Sequence, residues 1–471
     1  MLQHPETVAR AGRSGISDRV LRFPRVGVVL AAGRSERLGD ATGGGSKALV
    51  RVGGLALVER GIRSLFAAGV QRVVVVVGYQ AGPVAAVVDR VAPGRIRAVY
   101  AEEWERGNGA SLAAAEPLLA EEELFVLVAT DHLFGEGALE RLCRAGEGAV
   151  LVDATPEPDI WTEGTKVRVV RGRAVAFSKE FEDPSIDCGA FVLPFAVFRA
   201  QRRAAARGDL SLAGAVTELA QEAPLAVVPL PEGCWWQDVD TPEDLKRARH
   251  LLRRSLIKRS DGPVSRFLNR PLSTRLSMAL APLRLSPDLI SFLAFSLAIA
   301  GAVMLGAGRG VAGAILVHLA SIVDGVDGEV ARLQVRASAA GALLDGVLDR
   351  LADAALVAGL SVWALAEGAV GPTAVVVLAV VATAGSMLSM ATKDRITALA
   401  LPAAPERTIG YLLGGRDGRL LAIAVAALFG VPVAALLAVS VTASVSLVAR
   451  VVIARVLAAN LSLPSRASDD G

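Results

Sequence analysis

Two clusters of residues in this sequence have the types and spacing to handle phosphate. The first is Asp324-Gly325-Val326-Asp327-Gly328-Glu329-Val330-Ala331-Arg332, followed by Gly341, Asp345 and Asp349. Asp324 and Asp327 are three residues apart, and Asp345 and Asp349 four apart, so on helices each pair shares a face. Four carboxylates near membrane depth repel one another and are costly to desolvate. Divalent cations among them would offset both, and hard cations with oxygen ligands suit phosphate chemistry. Gly328 and Gly341 leave room for a nucleotide or a neighbouring helix. The second cluster is Leu30-Ala31-Ala32-Gly33-Arg34-Ser35-Glu36-Arg37-Leu38, with Lys47 ten residues beyond Arg37. A strand running into a glycine turn presents backbone N–H groups to a polyphosphate, and nearby Arg and Lys neutralise it. An aspartate, Asp131, closes a later apolar strand in Thr130-Asp131-His132.

The elements that must position these clusters differ in the two halves of the chain. The 471 residues are 53% hydrophobic, and that average hides a division. Up to about residue 285 apolar strand patterns alternate with helix-like segments, polar turns and charges. Strands are expected at 25–32, 72–77, 98–100, 124–129, 149–153, 166–170, 190–193 and 226–229. Helices are expected at 55–68 and 83–91. This alternation predicts a soluble α/β fold, Rossmann-like, with a mostly parallel sheet and helices on both faces. Thr241-Pro242-Glu243-Asp244 has the chemistry of a helix start. From Leu289 to about Ala458, Ala, Val, Leu and Gly dominate, in uncharged runs long enough to cross a bilayer. Six spans are expected, near 289–307, 310–326, 338–365, 369–391, 418–431 and 433–457.

Domain limits follow: a loose tail at 1–24, the α/β domain at 25–250 and a basic linker and juxtamembrane helix at 251–288. An all-α membrane domain covers 289–458, and a second tail 459–471. Basic residues cluster before the first span, between spans two and three, between four and five and after six. The positive-inside rule therefore puts the soluble domain and both termini on the cytoplasmic side of the cell membrane. A net charge of +3 gives no electrostatic case for nucleic acid. Cys143, Cys188 and Cys234 have no metal-ligand spacing and read as reduced structural thiols.

The pattern D-x2-D-G-x2-A-R-x8-G-x3-D-x3-D resembles the signature of the CDP-alcohol phosphotransferase family at every fixed position. The resemblance implies that Asp324, Asp327 and Asp345 hold two metal ions, Mg2+, and that Asp349 is the base that deprotonates the acceptor hydroxyl. Gly328, Ala331 and Arg332 would line the CDP site. Asp288 stands where related proteins often carry Asn, so the resemblance assigns it no contact. Lys393, Arg395, Arg407 and Arg416 could bind a phosphorylated acceptor, although topology alone also predicts positive charge there. An ion-transporting bundle is the alternative of another class. It fits less well, because the carboxylates fall at the cytoplasmic ends of spans two and three.

Residues 25–250 resemble the sugar-phosphate nucleotidyltransferase family, with Ser35 in place of a glycine and Ser46 in place of the proline before Lys47. The resemblance implies that Arg37 holds a triphosphate and Lys47 stabilises charge on the reacting phosphates. Leu30, Ala31, Ala32, Gly33, Asn108 and Gly109 would contact the nucleotide. Asp131 would bind one or more Mg2+ with Asp240 as its partner, or Asp238 in its place. Lys179 and Glu180 either face the substrate phosphate or form a solvated pair.

One half would make the CDP-linked donor that the other consumes. In this order the halves resemble a bifunctional family whose substrates are CTP and inositol 1-phosphate. That resemblance implies CDP-inositol as intermediate and transfer to a second inositol 1-phosphate, in a homodimer joined through the membrane domain. Another CDP-alcohol with a lipid acceptor, or a CDP-diacylglycerol-dependent synthase beside an unrelated nucleotidyltransferase, remain open on the residues alone.

Overall fold

The computed structural model describes residues 23–34, 37–38, 44–121, 124–399, 401, 409, 411 and 414–462. Arg407, the stretch 1–22 and the stretch 463–471 lie outside the described residues. In chain order the strands are β1 (Val26–Ala31), β2 (Arg51–Val52), β3 (Leu55–Ala56), β4 (Arg72–Val77), β5 (Ile96–Tyr100), β6 (Leu124–Ala129) and β7 (His132–Phe134). They continue as β8 (Ala149–Asp153), β9 (Lys166–Val170), β10 (Arg173–Ser178), β11 (Ile186–Pro194), β12 (Leu225–Pro229) and β13 (Trp236–Asp238). The helices are α1 (Leu57–Ala67), α2 (Ala81–Val88), α3 (Asn108–Ala113), α4 (Ala138–Cys143), α5 (Pro158–Glu163), α6 (Val197–Ala206), α7 (Leu212–Glu222) and α8 (Pro242–Ser255). After these come α9 (Arg270–Leu280), α10 (Pro287–Gly306), α11 (Gly310–Leu333), α12 (Ala339–Glu367), α13 (Pro372–Ala398), α14 (Arg416–Leu428) and α15 (Pro432–Ser462). The chain divides into two units, 1–34 with 61–236 and 35–60 with 237–471.

The first unit is built on a nine-stranded sheet in the order β5-β4-β1-β6-β11-β8-β12-β10-β9. From β5 to β6 the strands are parallel, with Val28 of β1 opposite Val74 of β4 and Leu127 of β6. These central strands are apolar at almost every position because both faces are covered. Val26, Val28, Leu30, Val74, Phe125 and Leu127 share one core with Phe191 and Phe198. The expectation of a mostly parallel sheet is corrected beyond β6: β11 runs antiparallel to both β6 and β8, so the sheet is mixed. The β9–β10 hairpin reverses the chain ahead of β11, turning at Arg171 and Gly172 with φ of 51° and 76°. Positive φ at both central residues is what a tight hairpin requires.

In the second unit α8 starts at a complete capping box. The Thr241 hydroxyl accepts from the Asp244 N–H, and the Asp244 carboxylate accepts from the Thr241 N–H at 2.9 Å and the Asp240 N–H at 3.2 Å. The cap therefore also fixes the backbone of Asp240. We expect Thr241→Ala to destabilise the protein by about 1 kcal/mol, read as a lowered midpoint of denaturant unfolding.

Helices α10 to α15 form the apolar part of this unit. Four of them, α10, α11, α13 and α15, are long and apolar enough to cross a membrane by length and composition. The 29-residue α12 is long but carries Asp345, Asp349, Arg350 and Asp353, and α14 has 13 residues. A Cβ on Gly359 would collide with the Ala302 carbonyl, so the glycine lets α12 lie directly against α10. α11 runs to Leu333, past the expected limit at 326, because the acidic motif continues the same helix after the apolar run ends.

Candidate active sites

The signature aspartates come from facing helices of the second unit. Asp324 and Asp327 are on α11, and Asp345 and Asp349 on α12. Carboxylate oxygens of Asp324, Asp345 and Asp349 lie within 4.8 Å of one another. Asp327 is buried beside them and accepts from the Ser291 hydroxyl and the Gly328 N–H. An all-oxygen, carboxylate-rich donor set fits a hard divalent cation.

Arg416, at the start of α14, enters this cluster. Its Nη1 is 2.9 Å from Asp324 Oδ1 and 2.7 Å from Asp349 Oδ1, and its Nε is 3.1 Å from Asp353 Oδ1. Arg419 Nη2 lies 3.4 Å from the other Asp353 oxygen. A small pocket adjoins these groups, lined among others by Asp349, Arg350, Asp353, Thr383, Ser386 and Arg416. Lys393 and Arg395 are on the last turns of α13, Lys393 half-buried and Arg395 exposed.

Two residues of this region escaped sequence reasoning. Asp353 extends the face of Asp345 and Asp349 by one more turn, a repeat that the spacing of four already contains. Arg450 is 2% exposed within apolar α15 and donates to the Ser389 carbonyl at 3.1 Å. An ionisable residue inside such a helix is itself a signal of function.

In the first unit β1 delivers the glycine turn. Among the described residues, a Cβ on Gly33 would meet no heavy atom within 4 Å. Leu30, Ala31 and Ala32 are buried, and the Ala32 carbonyl accepts from Tyr79 N–H at 2.9 Å. Asn108 is exposed at the start of α3, whereas Gly109 is buried and its N–H donates to the Leu210 carbonyl at 2.9 Å. Asp131 follows β6 and receives His132 Nδ1 at 2.8 Å. The His132 ring stacks on Trp236 with centroids 5.7 Å apart, and Trp236 Nε1 donates to Asp153 at 2.9 Å. Asp187 is a further acidic group that the sequence did not single out. Burial raises its carboxyl above the usual range, while the Gly189 N–H, His132 and Lys179 act in the opposite direction. In the second unit Arg37 and Lys47 both pair with Asp240, and Lys47 Nζ lies 3.9 Å from Asp238. Lys47 is buried, on the short helical turn Lys47–Leu49.

Comparison with known proteins assigns a class to each half. The MobA-like NTP transferase domain matches residues 27–183, and the CDP-alcohol phosphatidyltransferase family matches 284–453. The chain is thus an enzyme with a nucleotidyltransferase domain followed by a CDP-alcohol phosphotransferase domain, and its C-terminal half is membrane-embedded. The "Bifunctional IPC transferase and DIPP synthase" of Rubrobacter xylanophilus is 38% identical, over 86% of this chain and 90% of that protein. The protein of the same name from Thermococcus kodakarensis is 35% identical, over 72% of this chain and 76% of that protein. The solved inositol-1-phosphate CTP transferase of T. maritima is 25% identical, covering 50% of this chain and 96% of that chain at a TM-score of 0.45. The chain belongs to the bifunctional IPC transferase and DIPP synthase family. Enzymes of both domain classes generally use divalent metals.

Proposed function

We propose that this protein converts CTP and inositol 1-phosphate to CDP-inositol and pyrophosphate. It then transfers the phosphoinositol group to a second inositol 1-phosphate, giving phosphorylated di-myo-inositol phosphate and CMP. The convergence of Asp324, Asp345 and Asp349 carries the reading for the second step. Residues 25–250 perform the first step, 251–288 form the juxtamembrane linker and 289–458 the membrane domain. That domain has six spans, α10 to α15, with both termini and the soluble domain cytoplasmic, and it pairs in a homodimer.

In the first step Gly33 and the chain from Leu30 to Ala32 border the nucleotide phosphates. Arg37 and Lys47 neutralise charge, Asn108 and Gly109 lie at the nucleoside, and Asp131 and Asp240 would hold Mg2+. The inositol phosphate oxygen attacks the α-phosphorus of CTP and the bond to pyrophosphate breaks, a step governed by positioning and charge neutralisation. In the second step Asp324, Asp327 and Asp345 would hold two Mg2+, which supply Lewis-acid stabilisation of the phosphoryl oxygens when bound. Gly328, Ala331 and Arg332 flank the CDP. An acceptor in the pocket beside Asp349 presents its hydroxyl to that carboxylate, which takes the proton as the oxygen attacks the β-phosphorus and CMP leaves. Arg416, Lys393, Arg395 and Arg407 supply positive charge for the acceptor phosphate.

Membranes containing the protein, given CTP, Mg2+ and inositol 1-phosphate, test the reading. Pyrophosphate, CDP-inositol and then a di-inositol phosphodiester are expected in that order. Pyrophosphate with glycerol phosphate or choline phosphate but none with inositol 1-phosphate would remove the inositol assignment. A lipid product from CDP-diacylglycerol would favour a phospholipid synthase.

A further inference from the structure

The carbonyl that ends α11 is capped by a side chain from the nucleotidyltransferase sequence. Arg60, buried on α1, donates from Nη2 to the Leu333 carbonyl at 2.8 Å and to the Val52 carbonyl at 2.8 Å. Leu333 is the last residue of α11, and its carbonyl is among those left without a partner within the helix. A guanidinium suits the partial negative charge at a helix C-terminus.

The β2–β3 hairpin is shaped for this approach. Gly53 and Gly54 turn it with φ of 57° and 82°, conformations that side chains resist. A Cβ on Gly54 would collide with the Ala281 carbonyl, so the backbone of the turn lies directly on the end of the juxtamembrane segment. A second tie stands beside the first, where Arg284 Nη2 meets buried Glu59 at 2.5 Å. The hairpin leads straight back to Lys47, through Val50 N–H to Lys47 carbonyl at 3.0 Å and Leu57 N–H to Val50 carbonyl at 2.9 Å. On the α11 side the next residue inward is Arg332, whose Nη2 donates to the Leu256 carbonyl at 3.1 Å.

We propose that Arg60 is a positioning residue for phosphotransfer. By capping Leu333 it sets the last turn of α11, and with it Arg332, against the CDP moiety of the donor. The proposal rests on the reading of Arg332 as a CDP-site residue. It places a determinant of the second reaction within the sequence of the first domain.

The test uses full-length protein in lipid nanodiscs, with CDP-inositol and inositol 1-phosphate supplied and no CTP. Arg60→Ala is expected to raise KM for CDP-inositol about tenfold while kcat changes less, the pattern of lost donor binding. Arg60→Lys, which keeps a charged donor, should recover part of the loss. Arg202→Ala, which removes an exposed ion pair with Glu116 in the first unit, should leave KM unchanged. A wild-type KM in Arg60→Ala overturns the proposal. If Arg60→Ala does not fold, the same comparison on Arg60→Gln decides, a raised KM supporting the proposal and an unchanged one overturning it. If the wild type uses another CDP-alcohol but not CDP-inositol, the inositol assignment fails and Arg60 is judged on KM for that donor.

Discussion

Asp349→Asn lowers phosphotransfer from supplied CDP-inositol about a thousandfold and leaves pyrophosphate release from CTP unchanged. The magnitude is that of losing a general base. Asparagine keeps the size of the side chain and can still accept from Arg416 Nη1, which lies 2.7 Å from Asp349 Oδ1. It cannot take a proton from the acceptor hydroxyl. Because the packing of α12 is preserved, the thermal unfolding of the variant should match the wild type. The loss should fall on kcat, since binding of the CDP-alcohol does not require the base. Steady-state rates with both substrates supplied separate these parameters. Near wild-type kcat would remove Asp349 as the base.

Asp131→Ala has the opposite signature: cytidylyl transfer falls about a hundredfold to a thousandfold, and transfer from supplied CDP-inositol is intact. Asp131 is held at the end of β6 by His132, which is fixed in turn by stacking on Trp236 and the Trp236–Asp153 hydrogen bond. A carboxylate anchored through this chain of contacts loses little entropy when it binds a metal. The strand itself survives the substitution, because the Thr130 N–H still donates to the Leu30 carbonyl at 3.1 Å. Pyrophosphate release and CDP-alcohol consumption, measured on the same preparation, check the prediction. Equal loss of both would mean that the two centres are not independent.

The sequence made the central strands legible because each is an apolar run bounded by polar turns. The strands at 72–77, 124–129, 149–153 and 166–170 agree with the structure at both ends. Direction was less legible. An apolar run such as 190–193, within β11, has the same pattern whether it lies parallel or antiparallel, and only the preceding hairpin decides. Gly172 could have revealed that hairpin. In the membrane half, counting apolar residues found the four helices that are long and apolar enough to cross a membrane but ended α11 too early, since hydropathy falls where the aspartates begin while the helix does not. The four signature aspartates were legible from spacing. Asp353 and Arg450 were not picked out, and neither was the entry of Arg416 between Asp324 and Asp349, because that contact joins residues almost a hundred positions apart and depends on how α14 packs.

The brevity of α14 has a consequence for the bilayer itself. Thirteen residues give a helix of about 20 Å, against a hydrocarbon core of about 30 Å. On the six-span reading, lipid must thin along this side or water must reach inward to meet the end of the helix. That end carries Arg416 and Arg419. On the same reading, water reaching that end would bring an aqueous approach towards Asp349, by which a polar acceptor would arrive without first entering lipid. Membrane thickness then becomes a control on access, and an enzyme of this build should slow as the acyl chains around it lengthen.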